Sequence, residues 1–393
     1  FNTLEEVIRN NLIVDEGDPF NEILFNKSVN NIQSLGIFKK VKTDVKEGSN
    51  ETFKEIDINI EERPTGEISL TAGFGTTGET IGAGIRENNF LGKGIKLNTN
   101  LELTAESIKG QFIYAKPNFN YSDNTLFTSI KSSTSDFLTD SGYKTSNIGF
   151  SLGTKFEQFQ NIFLSPEIDF LIEDLETTNT ASNILKKQEG SYTDLYFNYS
   201  INQDLRDKRF KTESGYVTTF SQEIPLVSDN SELSNAFEIT NYKKLSSTSN
   251  MVGKVSLFGK TITGLSDDVR ISKRLNIPSY RLRGFERGKV GPVENNDYIG
   301  GNHITALNLS ATLPTVFQGL DNLDVAIFFD AANVWGVDYD SSIDDKSAVR
   351  SSTGLALNLM TPVGPLSFSF ANALTQASSD KTETFRFNLG TQF

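Results

Sequence analysis

The sequence predicts a mainly β protein: an antiparallel transmembrane β-barrel of about sixteen strands, preceded by one small, incomplete α/β domain. Three observations carry this. From Glu67 to Phe393, apolar and polar residues alternate in segments of about nine to thirteen residues separated by turns, and no convincing helix interrupts them. The polar face of these segments is rich in Ser, Thr, Asn and Gly, which suits a water-filled lumen. The apolar face persists over many strands with no helix to cover it. A soluble sandwich also alternates, but only a closed barrel removes the edges that so many strands would otherwise expose.

Composition narrows the function. The chain has 393 residues, a formal net charge of −13, no cysteine and a single histidine, His303. The acidic balance argues against a nucleic-acid partner, because phosphate binding needs clustered Lys and Arg. The absence of cysteine removes disulfides and thiolate chemistry, and one histidine is poor material for a multi-His metal site. No apolar run approaches the roughly 20 residues of a membrane helix. Phe1 opens the chain without methionine or a signal-peptide pattern, so a mature fragment is expected.

Residues 1–64 form the first expected domain. TLEE at 3–6 reads as a capping box, with Thr3 and Glu6 satisfying each other's amides ahead of a short helix. Asp18-Pro19 offers an N-cap and an N1 proline for a second helix. In that helix Phe25, Val29, Ile32 and Leu35 follow helical spacing and Gly36 is the stop. Two strands follow, one marked by Ile37, Val41 and Val45, the other by Ile56, Ile58 and Ile60 alternating with charges. Two helices on two strands make a thin domain, so a further strand is expected upstream of Phe1.

Residues 65–393 form the expected barrel. The strands fall at 67–75, 80–88, 94–106, 109–117, 125–135, 143–154, 161–173, 190–203, 214–224, 233–245, 249–262, 302–313, 321–332, 350–360, 365–374 and 384–393. In 323–330, Leu323, Val325, Ile327 and Phe329 face lipid, while Asp324, Ala326, Phe328 and Asp330 face the lumen. In 384–393, Phe385, Phe387, Leu389 and Phe393 share one face, opposite Arg386, Asn388, Gly390 and Gln392. An even count returns the C-terminus to the side of the first domain, the periplasm in bacteria. Short connections at 88–94, 157–161 and 361–365 lie on that side; long ones at 174–189, 263–301 and 333–349 lie outside. Trp335, just past its strand, is placed in an outer aromatic girdle or serves as a loop anchor.

Several features carry no function in this reading. His303 reads as a rim residue. DYDSSIDD (338–345) lacks the spacing of a calcium loop and reads as a solvated acidic loop. Lys186-Lys187 and Lys243-Lys244 read as surface lysines. Without a GxSxG elbow, P-loop or HExxH, an enzyme is not expected.

A set of motifs in order along almost the whole chain is more specific: LGIFKKVKTDV (35–45), ERPTGEISLTAGFG (62–75), RENNFLGKG (86–94), RLRGF (281–285), GGN (300–302), FFDAANVWG (328–336), TPVGPLSFSFA (361–371) and FRFNLGTQF (385–393). With these, the chain resembles the BamA family of outer-membrane protein assembly factors, within the wider superfamily of barrel insertases. The resemblance implies a final POTRA domain whose first strand is missing, and a protein that folds and inserts other β-barrels into the bacterial outer membrane. It implies no ATP and no cofactor. The implied partners are unfolded outer-membrane barrel proteins, accessory periplasmic lipoproteins and chaperones, and the lipid bilayer. In the family the RGF loop folds into the lumen and its arginine meets an aspartate; the matching residues are Arg283, Gly284 and Phe285 on the loop and Asp330 on the wall. Strand parity also points Asp330 inward, and a buried arginine needs a carboxylate. Some members supply a second glutamate; the matching residue is Ser310.

The resemblance also implies a lateral gate between the first and last strands, at a seam that includes Ile68, Leu70, Gly73, Phe385, Phe387, Gly390 and Phe393. Glycines at 73, 75 and 390 are expected to weaken it. The terminal Phe393 resembles the signal such machines recognise, and it equally suits an aromatic girdle. The alternatives are a related translocation and assembly factor or two-partner secretion transporter and, less well matched, a passive porin. A porin would have no N-terminal domain and would carry opposed charge rows on a constriction loop.

Overall fold

The computed structural model describes residues 2–14, 16–49, 53–76, 78–209, 211–314, 322–345, 348–361 and 364–389. It begins with two helices, α1 (Glu5–Arg9) and α2 (Glu22–Ser34), and an antiparallel pair, β1 (Phe38–Glu47) and β2 (Lys54–Glu62). α2 buries Phe25 and Ile32, and Ile32 joins Val7, Ile37 and Phe38 in a small core. The Ser28 hydroxyl, also buried, donates to Leu24 O at 2.9 Å and accepts from Ile13 N at 2.8 Å. Gly36 ends the helix in the left-handed region at φ 68°.

Both expected helix starts are corrected. α2 begins at Glu22 rather than after Asp18-Pro19, because the Asn21 carboxamide accepts from Leu24 N at 3.1 Å. Phe20 packs on Phe25 with ring centroids 5.9 Å apart, a hydrophobic staple one residue before the cap. α1 has no side-chain cap. Thr3 instead accepts from Asn89 Nδ2 at 2.8 Å, across to the barrel. Tertiary contact has taken the hydroxyl that the local pattern assigned to the helix.

The barrel strands are β3 (Gly66–Gly75), β4 (Gly78–Phe90), β5 (Ile95–Thr104), β6 (Ser107–Lys116), β7 (Thr125–Phe137), β8 (Tyr143–Phe159), β9 (Ile162–Thr177), β10 (Gly190–Asp204), β11 (Gly215–Ser228), β12 (Glu232–Lys244) and β13 (Val252–Gly264). A small hairpin, β14 (Val293–Glu294) and β15 (Asp297–Tyr298), sits in the long connection that follows. The barrel resumes with β16 (His303–Thr312), β17 (Leu323–Trp335), β18 (Arg350–Thr361), β19 (Gly364–Thr375) and β20 (Phe385–Leu389). β3–β13 and β16–β20 form one closed sheet of sixteen strands, each paired with its sequence neighbour, and β20 meets β3. Trp335 ends β17 rather than following it, and its ring lies 5.5 Å from that of His303 across the β16–β17 pair.

Alternation governs both faces. Ile81, Ile148, Phe150, Ile327 and Phe370 are exposed on the outside; each would cost roughly 1.5–3 kcal/mol if left in water, so this face belongs to lipid. Inside, small hydroxyls pair across strands: Ser129 with Ser151 at 2.8 Å and Thr240 with Ser256 at 2.9 Å. At the end far from α1, a one-turn helix α3 (Asn183–Lys186) contributes Leu185 to an apolar cap with Tyr143, Leu175, Ile271 and Ile299.

At the opposite end the N-terminal unit docks on the β4–β5 turn. Leu4 N donates to Gly92 O at 2.8 Å, and the Glu62 carboxylate accepts from the amides of Asn2 and Thr3. Gly92 has φ 72°, and a Cβ there would stand 1.9 Å from Asn2 O. Gly92→Ala is therefore expected to undock the unit and speed tryptic cleavage after the exposed Arg9 of α1. The heat-modifiable gel mobility of the barrel should stay unchanged in the same sample.

Candidate functional site

The connection between β13 and β16, residues 265–302, turns into the barrel. Arg283 meets Asp330 with both arms: Nε donates to Oδ2 at 2.7 Å and Nη2 to Oδ1 at 2.8 Å. The backbone amide of Arg283 adds a third donor at 3.2 Å, and Asn308 Nδ2 a fourth at 2.8 Å. Asp330 is fully buried, so its charge depends on these donors. The guanidinium also lies 3.5 Å from the Phe328 ring centroid, where the ring face attracts cations. Ser352 Oγ donates to Arg283 O at 2.5 Å.

The next two residues fit the wall tightly. Gly284 has φ 89°, and a Cβ would come within 3.1–3.2 Å of Ala371 and Ser352. Phe285, 1% exposed, packs with Leu282, Ile304, Ala332 and Val334. Ser310 does not supply a second partner to Arg283; it lies opposite Lys254 of β13. Asn308 instead adds a donor to Asp330, which is the charged partner of Arg283 among the described residues.

Pattern reading missed other anchors of the same loop. Arg270, fully buried, reaches three strands: Asp194 at 2.6 Å, Glu232 at 3.1 Å and Glu173 at 3.5 Å, with the Tyr192 ring centroid 4.5 Å away. Arg281 pairs with Glu238 at 2.8 Å and covers the Phe258 ring at 4.0 Å. Arg386 of β20 donates to Ser279 O at 2.9 Å and Phe285 O at 2.6 Å. The only signal in the sequence was the run of cations at 270–283 in an acidic chain.

The acidic loop is part of this scaffold. Asp338 accepts from Val269 N at 3.0 Å, from Asn302 Nδ2 at 2.8 Å and from Arg274. Burial alone would raise its carboxyl, but the Val269 amide and the Arg274 guanidinium outweigh that and hold it below the usual carboxylate range. Asp345 accepts from Val337 N at 3.0 Å. Among the described residues no group of acidic or histidine side chains is arranged to hold a metal ion.

The seam joins β20 to β3. Among the described residues it consists of Asn388 opposite Gly75 and Leu389 opposite Phe74, with Thr76 N donating to Phe387 O at 3.1 Å. On its other edge β3 pairs with β4 continuously from Gly66↔Glu87 to Gly75↔Gly78. Ile68 and Leu70, 78% and 82% exposed, lie opposite Ile85 and Ala83 of β4, and Gly73 lies opposite Thr80. Phe385 faces outward, and the Phe387 ring lies 5.8 Å from that of Phe74 across the seam, tilted by 59°. Gly390 and Phe393 lie outside the described residues. Gly75 acts by close approach rather than by softness: a Cβ there would lie 2.4 Å from Phe387 O and 2.3 Å from Asn388 Oδ1.

Comparison with known proteins gives consistent matches. Residues 89–393 match the Omp85 superfamily domain, and residues 2–63 match the POTRA model, described as a surface antigen variable number repeat. The whole chain aligns at 23% identity with the outer membrane protein assembly factor BamA of Neorickettsia risticii, covering 53% of that protein. It aligns at 23% identity with BamA of Neisseria meningitidis, covering 55%. The chain thus spans about half the length of the curated relatives it matches. Among solved structures, BamA from Haemophilus ducreyi lacking POTRA domains 1–3 superposes with a TM-score of 0.84 at 23% identity, covering 100% of this chain and 82% of that one. CdiB from Acinetobacter baumannii reaches 0.58 at 13% identity, covering 100% and 72%.

Removing one side of a buried ion pair costs about 3–5 kcal/mol, because the other charge is stranded. Arg283→Ala is therefore expected to loosen residues 265–302 and open them to protease added from outside. Arg283→Met with Asp330→Leu, which removes both charges, should restore much of the protection.

Proposed function

The chain belongs to the Omp85 superfamily, as a BamA-like protein of the outer membrane with its N-terminal unit in the periplasm, and from that premise we propose that it folds client β-barrels and inserts them through a lateral gate between β3 and β20. The observation that supports this reading is the seam. There β20 pairs directly with β3, Asn388 opposite Gly75 and Leu389 opposite Phe74, although no hairpin joins these two strands.

An open seam presents unpaired N–H and C=O groups at membrane depth, where no water can satisfy them. A client strand meets that need by adding to the edge of β3, main chain to main chain. Each added strand satisfies its own backbone and places its apolar face in lipid, so burial of the client supplies the driving force and no nucleotide is required. The inward loop keeps the lumen occupied on the side of β16–β19, which favours an assembly role over a passive pore. In this reading residues 1–64 act as the POTRA domain that receives clients from periplasmic chaperones and docks accessory lipoproteins. The remaining barrel, residues 65–393, performs the insertion.

The chain contains no cysteine, so the seam can be tested cleanly. Phe74→Cys with Leu389→Cys places two thiols at opposed positions. In liposomes, oxidation should stop folding of an added barrel protein and reduction should restore it. Unchanged client folding by a fully oxidised sample would remove the gate from the mechanism.

A further inference from the structure

We propose that Arg386 is a positioning residue: it ties the last strand to the inward loop and makes β20 the fixed edge of the seam, so that opening is a movement of β3. This rests on the reading of the seam as a gate. Arg386 lies on the lumen face of β20 and is 7% exposed. Its Nη1 donates to Ser279 O at 2.9 Å, and its Nη2 donates to Phe285 O at 2.6 Å and to Glu383 Oε2 at 3.1 Å. The two carbonyls bracket the Arg283–Phe285 tip. A planar guanidinium reaches both at once, and a lysine ammonium has no such fork.

The tether does not stand alone. The segment leading into β20 runs antiparallel to the loop, with Phe285 bridged to Thr382. Glu383 N donates to Gly284 O and Glu286 N to Lys381 O, both at 3.0 Å. Further along, Gly291 N donates to Asp380 Oδ1 at 3.2 Å and the Tyr298 hydroxyl to Ser379 O at 2.7 Å. The loop is itself held to β17 by Arg283 and to β9, β10 and β12 by Arg270. Strand, connecting segment and loop therefore form one bonded body.

The other side of the seam is built differently. Behind β3 and β4 the lumen holds a cavity of about 720 Å³, lined by small or polar groups that include Ser69, Thr71, Gly82, Gly84 and Asn100. β3 is bonded along β4 from Gly66 to Gly75, and Phe74 and Gly75 are in register with β20. When the two edges part, β20 stays with the loop and β3 has space to shift.

The test uses the intact protein in liposomes and a defined barrel client. Glu286 and Lys381 face each other across an antiparallel pair and both are exposed. Such pairs lie about 5.5 Å apart at Cα, within the range a disulfide spans. Glu286→Cys with Lys381→Cys locks the loop to the segment that leads into β20. Oxidised, this variant should insert clients at the unmodified rate. Arg386→Ala should slow insertion about tenfold, the scale of losing charge-assisted bonds, while the barrel keeps its heat-modifiable mobility, and Arg386→Lys should not rescue it. Adding the oxidised disulfide to Arg386→Ala should restore insertion, and reduction should remove the gain. An oxidised lock that halts insertion in the otherwise natural chain would overturn the proposal, because loop and last strand would then have to separate. Full activity of Arg386→Ala would overturn it too. Should Arg386→Ala fail to fold, the lock in the natural chain still decides. The Phe74–Leu389 cross-link judges the gate itself, so failure of the tether and failure of the gate are read from different samples.

Discussion

A strand in the hydrocarbon layer must find partners for both of its edges, because lipid offers none. That constraint closes the sheet, and closure forces β20 to meet β3. Every other neighbouring pair in the barrel is joined through the chain connecting it, so its two strands cannot diffuse apart. The seam has no such connection beyond the barrel as a whole. It is the one place where strand separation leaves every hairpin intact.

The loop in the lumen obeys a related constraint. Carrying cations into a barrel is costly unless each finds an acceptor, and here the acceptors are spread around the wall: Asp330 on β17, and Asp194, Glu232 and Glu173 on three other strands. Arginine suits this because its charge persists at any physiological pH and its fork holds two acceptors in a plane. Pairs of this kind add little net stability over apolar packing, yet breaking one is expensive. The loop is therefore held by the penalty for leaving more than by the gain from arriving, which fixes its place without requiring a large apolar interface.

How much of this was legible in the sequence follows from the range of each signal. Side-chain alternation has a period of two and is local, so the sixteen strands and the inward direction of Phe328 and Asp330 could be read directly. Helix caps are also local, yet Thr3 and Asp18 misled. Thr3 is claimed by Asn89 across the domain junction, and the Phe20–Phe25 staple moves the start of α2 to Asn21. The acids around Arg270 come from positions far apart in the chain, and no spacing rule joins them. Arg386 was visible only as a polar residue on an alternating strand. Its partners are backbone carbonyls, which any residue supplies and no sequence pattern marks.

Gly75 ties the seam to the loop. A glycine in a strand commonly signals weakness, but here the missing side chain lets Phe387 O and Asn388 approach closer than any Cβ would permit. The seam is tight at the end where the β3–β4 hairpin turns. Arg386 lies beside that tight end, one residue from Phe387, whose carbonyl accepts from Thr76. The backbone contact that closes the seam and the side chain that grips the loop thus occupy adjacent residues of one strand. In the proposed opening, separation at this end breaks the first and leaves the second untouched, because β20 and the loop keep their relative positions.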